Sequence, residues 1–225
     1  MDAWNTEVVD KLAVYDSLAV VMKAVANGRR LELIEVLAQG EHSVEVLSRM
    51  TGMGLTTVSA GLQILKQAGL VRTRREGTTV HYRLAGTDVI DLYLAAKRVG
   101  LLRLPELRDT LAAYMDQAAP SASSVPLIDP AAVTSTMTVV DVRPLEEFEA
   151  GHFPGAMSIP LAELEDRGAE VPTDAEVVVY CRGEFCRMAR EAAAWMRDRG
   201  INAKAMDEGV IEWRASEEGC LDQTA

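Results

Sequence analysis

Cysteine is scarce in this sequence and is absent from its first 180 residues. The three cysteines, Cys181, Cys186 and Cys220, are an odd number confined to the C-terminal part. Because disulfide-stabilised domains need paired cysteines, this distribution argues against a structural disulfide framework. We therefore interpret the cysteines as candidates for thiol chemistry.

Long apolar runs are also missing. No run approaches the roughly 18 residues that a membrane span needs. The start, MDAWNTEVVDKL, lacks the basic segment and apolar stretch of a secretory signal. We expect a soluble, cytoplasmic protein without membrane contact, and a length of 225 residues predicts two domains with separate cores.

The chain has no overall excess of positive charge, since its net charge is −11. Residues 1–118 nevertheless carry 14 Lys and Arg against 14 Asp and Glu, so the remaining residues, with 9 against 20, hold all the acidity. Residues 66–83 contain Lys66 and four arginines against Glu76 alone. This local cluster keeps nucleic-acid binding open for the first half, because duplex binding depends on Lys and Arg near phosphates.

The apolar periodicity of the first half predicts helices that lead into one β-hairpin and a final helix. The predicted helices cover 6–26, 29–38, a short segment from Ser43 to Gly52 and a segment after Gly54; the hairpin covers 70–84, and the last helix covers 88–116 with a break near Gly100 and Pro105.

The second half has an α/β pattern after a Pro- and Ser-rich stretch. We predict buried parallel strands over 138–142, 177–181 and 202–206, with an amphipathic helix over 187–199. The expected organisation is a first domain over 1–117, a linker over 118–126 and a second domain over 127–225.

The fourth predicted helix and the hairpin form a candidate DNA-binding surface. The helix has an outward face of small polar residues and the hairpin is basic, an arrangement that can place a helix in the major groove and the hairpin on the backbone. A helical bundle with a solvated basic hairpin is the alternative, and the pattern alone does not separate the two. The candidate residues are Thr56, Thr57, Ser59, Gln63, Arg72, Arg74, Arg75 and Arg83.

The run TTVSAGLQILKQAGLVRTRREGTTVHYRL resembles the recognition helix and wing of the ArsR family, and the resemblance covers about residues 8–98. It implies an α+β winged helix-turn-helix domain and a homodimer formed through its first and last helices. The implied partner is a two-fold symmetric, double-stranded operator, released on a chemical signal. Gly61 departs from the family, where many members have His. The cysteine and histidine ligands of metal-sensing members are missing, so we expect no metal site and no cofactor.

Cys181 ends an apolar strand and begins the loop CRGEFCR, which precedes a helix. Free backbone N–H groups, the helix dipole, Arg182 and Arg187 predict a lowered pKa for Cys181 and a nucleophilic thiol. A buried cysteine that only fills the core is the alternative.

The segments VVDVRPLEEFEAGHFPGAMSIPL, VVVYCRGEFCRMA and MDEGVIEWR resemble the rhodanese superfamily across about 125–219. The resemblance implies an α/β domain with a central parallel sheet. It also implies that Cys181 takes sulfane sulfur from a donor, holds it as a persulfide and passes it to a thiol acceptor. Asp141 and Arg143 are implied structural partners of the loop, and Pro154 and Gly155 shape a turn. The implied site residues are Cys181, Arg182, Gly183, Glu184, Phe185, Cys186 and Arg187.

Two residues depart from the usual rhodanese loop. Glu184 would repel a dianionic donor such as thiosulfate, which favours a persulfide or polysulfide donor. Cys186 could resolve an oxidised or persulfidated Cys181, or could fill space beneath the loop. Cys220 lies in a polar tail, and we assign it no role.

Three functions follow from these features. The first is a DNA-binding repressor whose rhodanese domain senses or transfers sulfane sulfur at Cys181. The second is a sulfurtransferase whose winged helix serves mainly for dimerisation. The third, suggested by the C-x5-R spacing of Cys181 and Arg187, is a cysteine phosphatase or arsenate reductase; we rank it lower because Tyr180 replaces the usual His and Glu184 opposes a phosphate dianion.

Overall fold

The computed structural model describes residues 10–117, 124–216 and 221–222. An N-terminal helical region with a three-stranded antiparallel sheet precedes a C-terminal region built on a five-stranded sheet. The start of the predicted first helix, most of the predicted linker and Cys220 lie outside the described residues.

Several helices of the N-terminal region begin at residues that favour a helix start. Asn27 and Ser43 accept hydrogen bonds from Arg30 N and Val46 N, both at 3.3 Å, so these side chains cap two helix starts. Pro105 begins a new helix immediately after Leu104, as the predicted break requires. The helices are α1 (Lys11–Val25), α2 (Gly28–Leu37), α3 (Val44–Thr51), α4 (Leu55–Gln67), α5 (Thr87–Arg103) and α6 (Pro105–Asp116).

Helix α4 packs closely against α2 in the core of the N-terminal region. Leu33, Leu62 and Leu65 are fully buried there. Gly61 is buried as well, and a Cβ atom at this position would lie 2.9 Å from Leu33 Cδ1. Gly61 therefore allows the two helices to approach each other, and it does not belong to the outward face of α4.

The predicted hairpin is present, with β2 (Val71–Glu76) and β3 (Thr79–Leu84) joined by a two-residue turn. Gly77, with φ 58°, adopts the left-handed conformation in this turn. A short strand, β1 (His42–Ser43), pairs with the other side of β3, so the order is β1-β3-β2.

The C-terminal sheet is entirely parallel and has the order β4-β8-β7-β5-β6. Central strand β7 is completely buried, which explains its uninterrupted apolar sequence. The strands are β4 (Leu127–Ile128), β5 (Thr138–Asp141), β6 (Met157–Ser158), β7 (Val177–Tyr180) and β8 (Ala203–Met206).

Helices and short 3-10 turns connect these strands. The helices are α7 (Leu145–Glu149), α8 (Leu164–Arg167), α9 (Met188–Arg197) and α10 (Val210–Ala215); the turns are Pro130–Ala132, Leu161–Glu163 and Gly168–Glu170. Gly155 has φ 72° in the turn before β6, as expected for the Pro154-Gly155 pair. The neighbouring strands β5 and β7 end at the same edge of the sheet, so Asp141 and Cys181 lie on the same side of the molecule.

The two regions share part of one core. Ile211 of α10 is fully buried in the apolar cluster of the N-terminal region, and α10 packs against α5. Among the described residues, no helix combines the length and apolar character that crossing a membrane requires.

Candidate nucleic-acid interface and thiol site

The outward face of α4 carries the predicted polar residues. Thr56, Ser59 and Gln63 are spaced at i, i+3 and i+7, which places them on one side of the helix. Thr56 and Gln63 are exposed, whereas Thr57 and Ser59 are half-buried. Gln63 Nε2 donates a 3.3 Å hydrogen bond to the Tyr82 hydroxyl, which links the helix to the hairpin.

The four predicted arginines of the hairpin differ in their partners. Arg72, Arg75 and Arg83 are exposed and form no ion pair with any residue that the structure describes. Arg72 lies directly opposite Arg83 across the two strands. Arg74 instead contacts Glu41 and Glu76 at 2.7 and 2.8 Å, so its charge is already compensated.

The thiol loop, residues 181–187, joins the end of β7 to the start of α9, as predicted. Cys181 is only 3% exposed, and Cys186 is half-buried. The Cys181 thiol lies 3.2 Å from the carbonyl oxygen of Cys186, so the loop curls back on itself. The structure brings the two cysteines together, as the sequence interpretation proposed.

The start of α10 supports this loop from below. Val210 N donates to Cys181 O at 3.3 Å, and Ile211 N donates to Arg182 O at 3.0 Å. Gly209 approaches the loop so closely that a Cβ atom would lie 2.4 Å from Gly183 N. The otherwise unbonded N–H groups of this helix terminus therefore bind loop carbonyls.

The ionisation of the thiol pair differs from the sequence prediction. Burial raises the pKa of Cys181, and the adjacent Cys186 thiol raises it further, against the opposing effect of backbone N–H groups of Ala189 and Gly183. The predicted lowering at Cys181 is therefore wrong, because burial outweighs the helix terminus. The pKa of Cys186 is lowered instead, chiefly because the Cys181 thiol donates a hydrogen bond to it, with a smaller contribution from Arg182.

The two loop arginines are already paired within the C-terminal region. Arg182 Nη2 lies 2.6 Å from Glu147 Oε1, and the Glu147 carboxylate is completely buried. Arg187 lies 2.9 Å from Glu191 and its guanidinium is 4.9 Å from the Tyr114 ring centroid. Both cations are therefore shared with carboxylates, which reduces the charge they present to the thiols.

Asp141 and Arg143 have the predicted structural role, and Gln39 joins them from the other region. Arg143 is fully buried, forms a 2.6 Å ion pair with Asp141 and donates to Gln39 Oε1 at 3.0 Å. Gln39 Nε2 lies 3.5 Å from Arg182 O, a long hydrogen bond to the thiol loop. The side chain at the end of α2 thus contacts both the loop and its buried support.

Helix α5 covers the loop from another side. Lys97 forms an ion pair with Glu184 at 3.2 Å and a close one with Glu212, and its ammonium lies 5.3 Å from the Phe185 ring centroid. Together with Gln39 and the Tyr114 ring, these contacts place the thiol loop between the two regions.

Four further residues hold the thiol loop and were not predicted from the sequence: Gln39, Lys97, Glu147 and Glu212. Glu147 and Glu212 lie inside the segments that carry the rhodanese resemblance, which could have marked them. Gln39 follows the apolar stripe of α2, and Lys97 is one of many charges on α5. No local signal distinguishes these two, because their partners are more than eighty residues away.

No group of three or more His, Cys, Asp or Glu side chains suited to a metal ion occurs among the described residues. His42 is buried, and its Nε2 atom has no hydrogen-bond partner within the part of the chain that the structure describes. Burial, aided by the positive charge of Arg182, lowers the pKa of His42 to about 4.

Comparisons with known proteins match both regions. Residues 27–73 match the family described as bacterial regulatory protein, arsR family, and residues 127–216 match the rhodanese-like domain family. The HTH-type transcriptional regulator Rv0324 of Mycobacterium tuberculosis is 46% identical over 204 residues, which are 91% of this chain and 90% of that protein. The chain belongs to the arsR family of regulators and carries a C-terminal rhodanese-like domain.

Two further similarities concern single regions. YrkF of Bacillus subtilis, named for a proposed role as a sulfur carrier, is 30% identical over 120 residues, 50% of this chain and 63% of that protein. A solution structure of the homodimeric winged helix-turn-helix domain of Mb0332 from Mycobacterium bovis is 47% identical, with a TM-score of 0.40, and covers 47% of this chain and 95% of that one.

This arsR-family chain is a transcriptional regulator with a winged helix-turn-helix domain and an α/β rhodanese-like domain. In its winged-helix domain, α3 and α4 form the helix-turn-helix and the β2–β3 hairpin forms the wing. The thiol loop lies within the residues that match the rhodanese-like domain family.

Proposed function

We propose that this regulator binds operator DNA as a homodimer and that sulfane-sulfur chemistry at Cys181 and Cys186 changes its affinity for that DNA. The observation that carries the proposal is the position of the thiol loop, which packs directly against the winged-helix domain through Gln39, Lys97 and Tyr114. A covalent change in the loop therefore occurs at the surface between the two domains.

The free cations of the wing support the DNA-binding part. Like charges directly opposite each other on paired strands are unfavourable, yet Arg72 and Arg83 hold this arrangement on the exposed face. A DNA phosphate between them would relieve the repulsion and release counterions. Thr56 and Gln63 on α4 are exposed beside the wing and can reach base edges or phosphates.

An uncovered apolar surface supports the homodimer. Helix α1 buries only Ala24 and Val25, although most of its residues are apolar. Exposed apolar side chains concentrated on one helix are typical of interfaces between proteins. The exposed side chains are Leu12, Val14, Tyr15, Leu18, Val20 and Met22 on α1, with Val99 and Leu102 on α5.

The thiol pair can perform a balanced two-step reaction with a hydropersulfide, RSSH. A cysteine thiolate of the pair attacks the outer sulfur, which forms a protein persulfide and expels RS⁻. The second cysteine then loses its proton and attacks the protein-bound sulfur of that persulfide, which forms the Cys181–Cys186 disulfide and expels HS⁻. Alternatively, an external thiol takes the sulfur and restores the two cysteines, which is sulfur transfer.

Either product alters the contacts of the loop with the winged-helix domain. A disulfide draws the two ends of the loop together and removes the thiol hydrogen bond. A persulfide adds an atom to an enclosed site, where Cys181 is almost inaccessible. In both cases the neighbouring Arg182 carbonyl and its contact with Gln39 must adjust, and α2 carries that change into the winged-helix core.

The decisive experiment combines mass spectrometry with operator binding. The full-length protein is exposed to polysulfide, its Cys181 and Cys186 products are identified, and its affinity for labelled promoter DNA is measured before and after. We expect mass changes of the loop peptide together with at least a tenfold change in DNA affinity. A Cys181→Ser variant should bind DNA as the parent does but should not respond.

Two outcomes would contradict the proposal. If Cys181→Ser responded to polysulfide as the parent does, the sensing role would be lost. The untreated protein could also bind promoter DNA no better than unrelated DNA and catalyse repeated sulfur transfer to an external thiol. It would then be a sulfurtransferase that uses its winged helix for dimerisation.

The oxyanion alternatives receive less support from the geometry. A C-x5-R cradle needs the Arg187 guanidinium for its anion, but Arg187 is paired with Glu191 and stacked on Tyr114. Glu184 adds a negative charge to the same loop. Turnover of a phosphate ester or arsenate that disappears in Cys181→Ser would favour a phosphatase or arsenate reductase instead.

A further inference from the structure

A cavity of about 340 Å³ lies beside the thiol loop, between the two domains. Its wall comes from α2, α5 and α6 of the winged-helix domain, and Phe185 of the thiol loop closes one side. Small-molecule sites in proteins measure roughly 300 to 1,000 Å³ and occur preferentially at domain interfaces. This cavity has the size and the position of such a site.

The lining is apolar except at a few points. Leu31, Leu107 and Phe185 provide aliphatic and aromatic surface, and Tyr93 adds a ring. Such a wall suits a flat or branched hydrocarbon body of about ten heavy atoms, because apolar walls with few polar groups are typical of ligand sites.

Glu35 is the main polar anchor in this cavity. It accepts a 3.3 Å hydrogen bond from the Tyr93 hydroxyl, and no ion pair to it forms among the described residues. Burial raises the pKa of Glu35, with an opposing effect from the positive charge of Arg182. A carboxyl group in this position gains a favourable interaction when a cation or a strong hydrogen-bond donor enters.

The charges around the cavity also favour a cation. Glu32 lies on the wall with Glu35, and the one cation there, Lys97, is already shared between Glu184 and Glu212. Arg182, the other nearby cation, is paired with Glu147. The groups that face the cavity therefore carry more negative than positive charge, so an anionic ligand would be repelled.

We propose that this cavity is a second ligand site, which binds a small organic amine with an apolar body and places its ammonium group on Glu35. A ligand there contacts α2, α5, α6 and the thiol loop at once. The site involves neither cysteine thiol, so binding of the amine does not require the sulfur chemistry proposed above. It gives the regulator an input that stabilises one arrangement of the two domains.

Calorimetric titration of the full-length protein with matched probes tests the site. The probes are phenethylammonium, 3-phenylpropanoate, 2-phenylethanol and methylammonium, which separate charge from apolar body. We expect phenethylammonium to bind at least about tenfold more tightly than the other three, because a charge-assisted hydrogen bond to a carboxylate adds to apolar burial. No binding of phenethylammonium at millimolar concentration, or equal binding of 3-phenylpropanoate, would overturn the proposal.

Single substitutions test whether the probes bind in this cavity. Glu35→Gln keeps the shape and the Tyr93 contact, and it should remove the preference for phenethylammonium over 2-phenylethanol. Ala96→Phe, a change at an exposed position on the cavity wall, should weaken both probes. Glu45→Gln, at an exposed position of α3, is the matched control and should bind as the parent does. The double variant Cys181→Ser, Cys186→Ser should also bind normally; unchanged binding in Glu35→Gln would refute the site.

Discussion

The wing and the thiol loop are both rich in arginine, but they hold their charges in opposite ways. Arg72 and Arg83 of the wing are exposed and face each other without a carboxylate partner. Arg182 of the loop is paired with buried Glu147, and Arg187 with Glu191. The wing is ready to receive an external anion, whereas the loop has satisfied its cations internally.

This difference fits the division of roles proposed above, in which the wing contacts DNA and the thiol loop responds to sulfur. A surface that binds DNA phosphates must offer unpaired positive charge to solvent. A reactive thiol that controls such a surface must instead be connected to the rest of the protein, so that its modification has a mechanical effect. The contacts of Gln39 and Lys97 with the loop provide that connection.

The largest effect is expected from Arg143→Ala, which removes the buried arginine that supports the thiol loop. The substitution leaves the buried Asp141 carboxylate without its partner, and we expect the free energy of unfolding to fall by about 3 to 5 kcal/mol. Urea denaturation measures the change. Arg167→Ala, which breaks an exposed cluster with Glu163 and Glu170, is the control and should leave the midpoint unchanged.

Acidification should destabilise the winged-helix domain through His42. The folded pKa of about 4 lies below the unfolded value near 6.5, so the unfolded chain binds the proton first. Above pH 6.5, His42 is unprotonated in both states and does not reduce the free energy of unfolding. As the pH falls below 6.5, the free energy of unfolding decreases, and the loss reaches about 3 kcal/mol at pH 4. Urea midpoints of the parent and His42→Phe should therefore converge or cross between pH 7 and pH 4. Parallel curves would mean that His42 is not the titrating group.

Gln39→Leu tests the connection between the two regions. It removes a partner of Arg143 and the contact with Arg182 O, which should reduce the free energy of unfolding by about 1 to 3 kcal/mol. The same change should accelerate iodoacetamide labelling of Cys181 and Cys186, because the covering domain is held less firmly. Gln67→Leu, at an exposed position of α4, should change neither the stability nor the labelling rate.

Wing substitutions should have the smallest effect on stability and a clear effect on DNA binding. Arg72→Ala and Arg83→Ala should each reduce the slope of log affinity against log salt by about 2, since a dimer loses two phosphate contacts, while the urea midpoint stays the same. Arg74→Ala should reduce that slope less, since Glu41 and Glu76 already hold this arginine. Equal slopes for all three variants would remove the distinction between paired and free arginines.

Local patterns in the sequence predicted most of the fold. The helix start at Ser43, the hairpin turn at Gly77 and the break at Pro105 are short-range features, and the structure confirms each of them. The two-residue strands β1, β4 and β6 were missed, because two residues carry no period.

The chemical state of the thiol loop could not be predicted in the same way. The loop sequence shows the helix terminus and the arginines, both of which favour an ionised Cys181. It does not show that Cys181 is buried in the apolar core of the C-terminal region or that its thiol hydrogen-bonds to that of Cys186, and these two effects raise the pKa of Cys181 instead. Gly61 is a similar case, since only its contact with Leu33 explains it.

The burial of Ile211 in the winged-helix core has a practical consequence for anyone who divides this protein. Cutting the chain in the linker would leave the winged-helix domain with an unfilled apolar cavity at the position of this side chain. In the other piece, Ile211 of α10 would be exposed to water. Each half would then expose an apolar surface that is buried in the whole chain and that favours aggregation. Work on the isolated halves therefore calls for a polar replacement of Ile211 in one piece, and for an added copy of α10 in the other.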